Sequence, residues 1–506
     1  MAKQARITTP RKITSLETTS AQKRAERAEL IRRRSLFAPR LGWGGQFGGR
    51  SAVEDTGTIY TGPSSQAAGL YPFLLGAGLP PRGVPVGRDV LTGELVCLDP
   101  AGWVGKITTN PNVWVMSQPG AGKSALVKRM LIFYSVFGYM PVIPGDVKGE
   151  YSDLVRQLGG SVVQIGDGVG RLNPLDSGPL KRRLHLLAPA ERDNVLDILN
   201  SRRLETLGAL LATKHGLGRT PDEVQRSALT SAVQIAADAR PGEDPIVPDV
   251  ITVLRQAPEE LRTKLAAHGD TYTDLTRSVI AGLENLCSGP LKGLFDGPTT
   301  QELDVDAAAV SVDISRLRAR GTDTISAGMI ATWAYAYSSI DSARSTGLMS
   351  RRLILPMDEM WRALRSGPGL VDSMDSIGRL SRGDGDITIY ITHSLLDAES
   401  LSTEEDRAKA RGLMDRCDTW VIGASSAEEL ERVTGKRELT EQERLMIASW
   451  SSATSTGLDT GDAVHPGRGK YMIKVGTRPG IAAASELTVT EARLYHTDHK
   501  MKDERR

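Results

Sequence analysis

The segment SQPGAGKS at 117–124 sets two glycines, a lysine and a hydroxyl in one short loop. It directly follows the apolar run NVWVM (112–116) and opens a helical stretch that runs to about Phe137. Strand, Gly-rich turn and helix in that order are what a phosphate-binding loop requires. Gly120 and Gly122 let the backbone N–H groups of the loop, Ala121 and Ala125 included, converge on phosphate oxygens at a helix N-terminus. Lys123 would neutralise the β- and γ-phosphates of ATP, and the Ser124 hydroxyl would face Mg²⁺. The loop's first position, normally glycine, is Ser117, which predicts a somewhat different turn there.

A second chemical group stands at the end of another apolar run, LILPMDEM at 353–360. An acid at the end of a strand beside a phosphate loop can hold Mg²⁺ through its water shell, which is the role expected of Asp358. The adjacent Glu359 would polarise an attacking water as general base. Pro356 is unexpected in a central strand, because it has no N–H to give to the ladder. Glu150, in KGEY, has two readings: a further nucleotide-site residue, or a cap for a helix starting at Ser152.

These groups need elements to position them. Apolar runs recur at 112–116, 140–143, 161–165, 309–314, 353–357, 387–391, 419–422 and 471–475, alternating with helical stretches. Runs apolar throughout are the pattern of parallel strands buried on both faces. The expected fold is therefore α/β, a mostly parallel sheet covered by helices on both faces. The segment 83–100, with Thr92-Gly93 at its turn, reads as a small β-hairpin at the start. Residues 177–300 carry helical periodicity and no clear strand, and read as an all-helical insertion. The expected organisation is a basic arm and Gly/Pro-rich linker (1–82), a core (83–176 and 301–480), the insertion (177–300) and a tail (481–506).

Hydrophobic residues make up 40% of the 506-residue chain and charged residues 25%, which excludes disorder for most of it. Residues 1–50 carry 12 Lys+Arg against 3 Asp+Glu, while the remainder carries 51 against 58, so the arm is basic and the body mildly acidic. Such an arm is either a dock for nucleic acid, lipid or an acidic partner, or a solvated tail. The three cysteines match no disulfide or zinc spacing. No segment reads as a membrane span or a signal peptide. The expected location is cytoplasmic, with peripheral attachment to the inner face of the membrane through a partner. HTDH (496–499) has metal-ligand residue types but reads as a solvated tail.

In order and spacing these motifs resemble the HerA–FtsK group of P-loop ATPases, and within it the TraC-type ATPases of conjugative type IV secretion. The likeness rests on SQPGAGKS (117–124), GDVKGEYSDLVRQLGGSVVQI (145–165), RLNPLD (171–176), LKGLFDG (291–297), DEMW (358–361) and GRGKYMIKVGTRPG with LYHTD (467–498). It covers about residues 83–500. The resemblance implies a RecA-like P-loop core. It also implies that Arg382, eleven residues before His393 in SRGDGDITIYITHS, is an arginine finger reaching the γ-phosphate of a neighbouring subunit, with Arg379 as the alternative. His393 stands where such relatives place the Gln of a sensor motif. An imidazole there can still hydrogen-bond the γ-phosphate or water, in a way that depends on its protonation.

The function implied is an ATP-hydrolysing motor of bacterial conjugative transfer, assembled as a ring, a hexamer. Its partners would be copies of itself, other secretion-channel subunits, and DNA as passenger. About 80 residues precede the hairpin, where the resemblance implies a full N-terminal domain. A second polypeptide would supply it, or the chain is a reduced member. Three other readings are a DNA-translocating pump or coupling protein, a viral packaging motor, and a nucleotide-binding assembly scaffold with little turnover.

Overall fold

The structure is a computed structural model that describes residues 24, 27–29, 43–44, 50–51, 78–166, 168–179, 189–371, 385–451 and 466–495. The chain divides into two compact units, Met1–Leu74 and Leu75–Arg506. In the first unit, residues 24 and 27–29 are helical. Two-residue strands Trp43–Gly44 and Arg50–Ser51 pair antiparallel there.

The second unit is built on one eleven-stranded sheet. Its strands are β1 (Val84–Asp89), β2 (Leu95–Leu98), β3 (Val113–Met116), β4 (Met140–Asp146), β5 (Ser161–Gln164), β6 (Val310–Asp313), β7 (Leu353–Met357), β8 (Ile387–Thr392), β9 (Thr419–Ile422), β10 (Lys470–Val475) and β11 (Ile481–Ala484). The order across the sheet is β2-β1-β11-β10-β9-β3-β8-β7-β4-β6-β5. From β9 to β5 every neighbouring pair is parallel. From β9 through β10, β11 and β1 to β2 every pair is antiparallel.

Side chains alternate between faces along a strand, and here both faces are covered. Val113 and Val115 of β3 join one core with Ile354, Ile387, Ile389, Ile391 and Val421. That core is closed by Leu126, Val127, Met130 and Leu131 of helix α1 (Lys123–Val136) and by Leu154 and Val155 of α2 (Ser152–Gln157). Trp114 and Met116, on the opposite face of β3, join the other core with Leu355, Met357, Tyr390, Trp420 and Ile422. This double coverage is why the strands read as unbroken apolar runs.

Between β5 and β6 the described residues form five α-helices and no strand: α3 (Pro189–Ala212), α4 (Glu223–Asp238), α5 (Val247–Gln256), α6 (Glu259–Lys264) and α7 (Gly269–Leu286). Helix α4 begins in a capping box, with Asp222 and Gln225 each satisfying the other's backbone N–H. The RLNPLD motif ties this helical set to the sheet. Asn173 Nδ2 donates to Pro245 O at 2.9 Å, and Arg203 of α3 donates to Leu175 O at 2.8 Å. Later helices are α8 (Thr322–Ser345), α9 (Met360–Leu364), α10 (Glu404–Asp415), α11 (Ala427–Thr434), α12 (Glu441–Ser451) and α13 (Val489–Tyr495), besides two single turns, Pro100–Trp103 and Leu396–Glu399.

The structure departs from the sequence reading at one strand. Ile481–Ala484, placed in the tail by sequence, is a sheet strand between β10 and β1. An Ile-Ala-Ala-Ala segment has weak strand propensity, so only its two neighbours make it a strand. Pro356 also finds its explanation. The β4–β7 ladder ends at Pro141–Ile354, while the β7–β8 ladder continues to Tyr390–Met357. Pro356 thus lies where one of its two ladders has already stopped, and a residue without an N–H is accommodated.

Candidate functional site

Strands β3, β8, β7 and β4 lie side by side and parallel, so the loops leaving their C-terminal ends share one edge of the sheet. That edge is where open α/β sheets place their ligands. It receives the 117–124 loop from β3, His393 from β8, Asp358-Glu359 from β7 and the 147–150 turn from β4.

The loop's conformation explains its glycines. Gly120 and Gly122 have φ of +82° and +101°, a region that side-chain-bearing residues rarely enter. A Cβ on Gly122 would also lie 2.8 Å from the Tyr471 hydroxyl, which donates to Gly122 O at 2.8 Å. Gly469 N donates to Ala121 O at 3.0 Å, and Gln118 N to Ala424 O at 2.8 Å, so the loop is held by segments following β9 and preceding β10. Ser117 is fully buried, and no positive φ occurs there. Its backbone needs no glycine, and its side chain occupies space left open by Gly423, where an added Cβ would fall 2.6 Å from Ser117 Cβ. Gly122 caps α1, and Ser124 and Ala125 lie in its first turn, where backbone N–H groups lack intrahelical partners.

Lys123 is buried, with its ammonium turned onto the loop itself. It donates to Ser117 O, to Gln118 O at 3.1 Å, and to His393 Nδ1 at 2.9 Å. Burial pulls Lys123 down to about 8, with Asp358 the largest opposing influence. An ammonium only donates, so His393 Nδ1 is the acceptor and the imidazole is neutral. Burial and the Lys123 charge hold His393 below its ordinary value, in agreement with that assignment.

Just past β7, burial pushes Asp358 up to about 6, while Lys148 draws it back. Glu359 sits at φ +55°, one of three non-glycine residues with positive φ among the described residues. Its N–H donates to Asp358 Oδ1 at 3.0 Å. Its carboxylate pairs with Lys148 at 3.0 Å and Arg362 at 3.6 Å. Burial would raise Glu359, but Lys148 and Arg362 hold it below the usual carboxylate value. Trp361, in the turn that follows, packs edge-on against Trp114 of β3 with centroids 6.0 Å apart. This contact fixes the acidic pair relative to the phosphate loop. A cavity of about 340 Å³ opens beside Glu359, Arg362 and Arg365.

Lys148 was not distinguished in the sequence. Its signal is its place in the Gly-Asp-Val-Lys-Gly turn that ends a strand neighbouring β7. Glu150 does not cap α2: among the described residues no side chain caps that helix, and the Glu150 carboxylate lies 3.7 Å from Lys148. Asp146 instead accepts from the N–H groups of Glu150 at 3.1 Å and Tyr151 at 2.8 Å. Arg382, Arg379 and the 496–499 segment lie outside the described residues.

The residues present suit a nucleotide triphosphate with Mg²⁺. Gly120 and Gly122 leave a backbone cradle without side chains, a helix N-terminus and a lysine face it, and one hydroxyl and one carboxylate suit a cation that keeps most of its water. Among the described residues no group of three or more His, Cys, Asp or Glu side chains is placed to hold a metal by itself, and no helix is long and apolar enough to cross a membrane.

No protein-family model matches the chain, and no curated protein matches it. Among solved structures, the conjugative coupling protein TrwB is similar at 12% identity and TM-score 0.46, covering 74% of this chain and 86% of that one. TrwB in complex with ADP and Mg²⁺ gives 13% identity and TM-score 0.46, covering 74% of this chain and 85% of that one. VirB4 of Thermoanaerobacter pseudethanolicus is similar at TM-score 0.62 and 22% identity, over 82% of this chain and 99% of that one. The chain therefore shares the fold of VirB4, a P-loop α/β core with its sheet between two layers of helices.

Proposed function

We propose that this protein hydrolyses ATP at the C-terminal edge of β3, β8 and β7. The observation that carries the proposal is the convergence there of a loop lysine, an acidic pair and a neutral histidine, with Lys123 2.9 Å from His393 and Glu359 held by Lys148 at 3.0 Å. The backbone of 117–125 would take the phosphates of ATP. Lys123 neutralises the β- and γ-phosphate oxygens. Ser124 and Asp358 would hold Mg²⁺, which when bound supplies further neutralisation of the phosphates. Glu359 accepts a proton from the attacking water, and its depressed pKa keeps it ionised for that task near neutrality. His393, neutral, hydrogen-bonds the γ-phosphate or the water.

The motor is proposed to act in bacterial conjugative, type IV secretion-like transfer, as a ring of copies in which Arg382 serves the site of the neighbouring subunit. The motif order from 117 to 361 and the fold shared with VirB4 support this reading. Other secretion-channel subunits, and DNA, are the proposed partners.

The test is phosphate release from ATP across a protein-concentration series, with and without DNA, alongside Lys123→Ala, Glu359→Gln and Arg382→Ala. A steep rise with concentration, abolished by all three substitutions, is expected. Stimulation by DNA would identify a pump. ATP binding without turnover at every concentration would overturn the hydrolytic reading.

A further inference from the structure

Lys128 lies on α1, five residues after the loop lysine, and its side chain is fully buried. Among the described residues its amine has no hydrogen-bond partner. A buried amine left unsatisfied is destabilising relative to an apolar side chain of the same length, so packing alone does not account for a lysine here. The amine sits over the ring of Tyr151, 5.7 Å from its centroid, within the range in which a cation is attracted to an aromatic face. Tyr151 is itself buried, and its N–H is anchored on Asp146 at 2.8 Å. Its hydroxyl points to Asp358 Oδ2 at 3.5 Å. The carboxylates of Glu150, Asp146, Asp358 and Asp153 oppose the effect of burial on the Lys128 charge.

We propose that Lys128 is a positioning residue of the ATP site: its buried ammonium fixes the Tyr151 ring, and the Tyr151 hydroxyl orients the Asp358 carboxylate. The assignment rests on the ATP-site reading above. Lys128 acts on the site through the Tyr151 ring.

The experiment uses the full chain with Lys128→Met, Tyr151→Phe and the double variant. Melting temperature is measured without nucleotide, with ADP, and with ADP and Mg²⁺, and kcat and KM for ATP are measured alongside. Lys128→Met is expected to melt no lower than the parent, because it removes an unsatisfied buried amine. The extra stabilisation that Mg²⁺ adds to ADP should shrink in both single variants. Turnover should fall about tenfold at an ATP KM unchanged within about twofold, the size of loss usual when a group behind a metal ligand is removed. The double variant should be no worse than either single one, since both break one line of contacts.

Unchanged turnover and an unchanged Mg²⁺ increment in Lys128→Met would overturn the assignment. So would a drop in melting temperature that tracks the loss of activity, or additive effects in the double variant. A parent that shows no Mg²⁺-dependent shift would overturn the ATP-site reading and this assignment together, whereas a parent shift left unchanged in Lys128→Met would overturn this assignment alone.

Discussion

Arg129 links the phosphate-loop helix to the C-terminal helix, and removing it tests how the site is braced. Its guanidinium is buried and pairs with Glu491 of α13 through Nε at 2.6 Å and Nη2 at 2.8 Å. The same group donates to Val86 O at 2.8 Å, to Ser485 Oγ at 2.7 Å and to Glu486 O at 2.7 Å. Arg129→Met keeps the stem and deletes the head. It leaves three neutral acceptors and one carboxylate without this donor, and breaking one partner of a buried pair costs about 3–5 kcal/mol. For a unit the size of Leu75–Arg506, the unfolding entropy is about 0.9 kcal/mol per kelvin, so the melting temperature should fall by about 3–6 °C. A double variant, Arg129→Met with Glu491→Leu, should recover most of that loss, because the orphaned charge is removed as well.

The same pair has a signature in pH. Burial alone would raise Glu491, but Arg129 and the Thr488 backbone N–H hold it below its ordinary value of 4.5. A depressed carboxylate contributes stability that is present above its unfolded pKa and disappears as pH falls through the folded one. The gap in melting temperature between parent and Arg129→Met should therefore be full at pH 7 and narrow below about pH 4.5. Calorimetry across that range is the assay. A gap under about 1 °C at pH 7, or a double variant as unstable as the two single losses combined, would refute the bracing argument.

Three further outcomes are expected. Gly423→Ala should cost about 1–3 kcal/mol by forcing a Cβ onto Ser117, and adding Ser117→Gly should restore both the melt and nucleotide binding. Glu359→Gly should abolish phosphate release while leaving the fold unchanged or more stable by up to about 1 kcal/mol, because it relieves a left-handed backbone at the expense of a freer unfolded chain. His393 has a folded pKa below its unfolded value of 6.5, so its neutral form contributes stability that is lost as pH falls below 6.5. The parent should thus lose melting temperature relative to His393→Gln between pH 7 and pH 5, as about the span over which an unperturbed imidazole titrates, and equal slopes would refute a buried neutral imidazole.

The α/β class, most strand positions and the 117–124 and 358–359 groups are set by local chemistry. A strand buried on both faces must be apolar at every position, a phosphate cradle needs glycines with positive φ, and a chemically useful acid must stand where an apolar run ends. All three requirements leave marks in the order of residues. What tertiary structure decided is which distant residues meet. Ile481–Ala484 becomes a strand only because β10 and β1 flank it. Ser117 is acceptable in the loop because Gly423, some three hundred residues away, leaves it room. Lys148 matters because β4 and β7 are neighbours in the sheet, which brings its amine to Glu359. Pro356 is tolerated because one ladder of β7 ends before it. Each of these depends on sheet order, and sheet order follows from the long crossovers that pack helices on both faces, not from any residue's nearest neighbours in the chain.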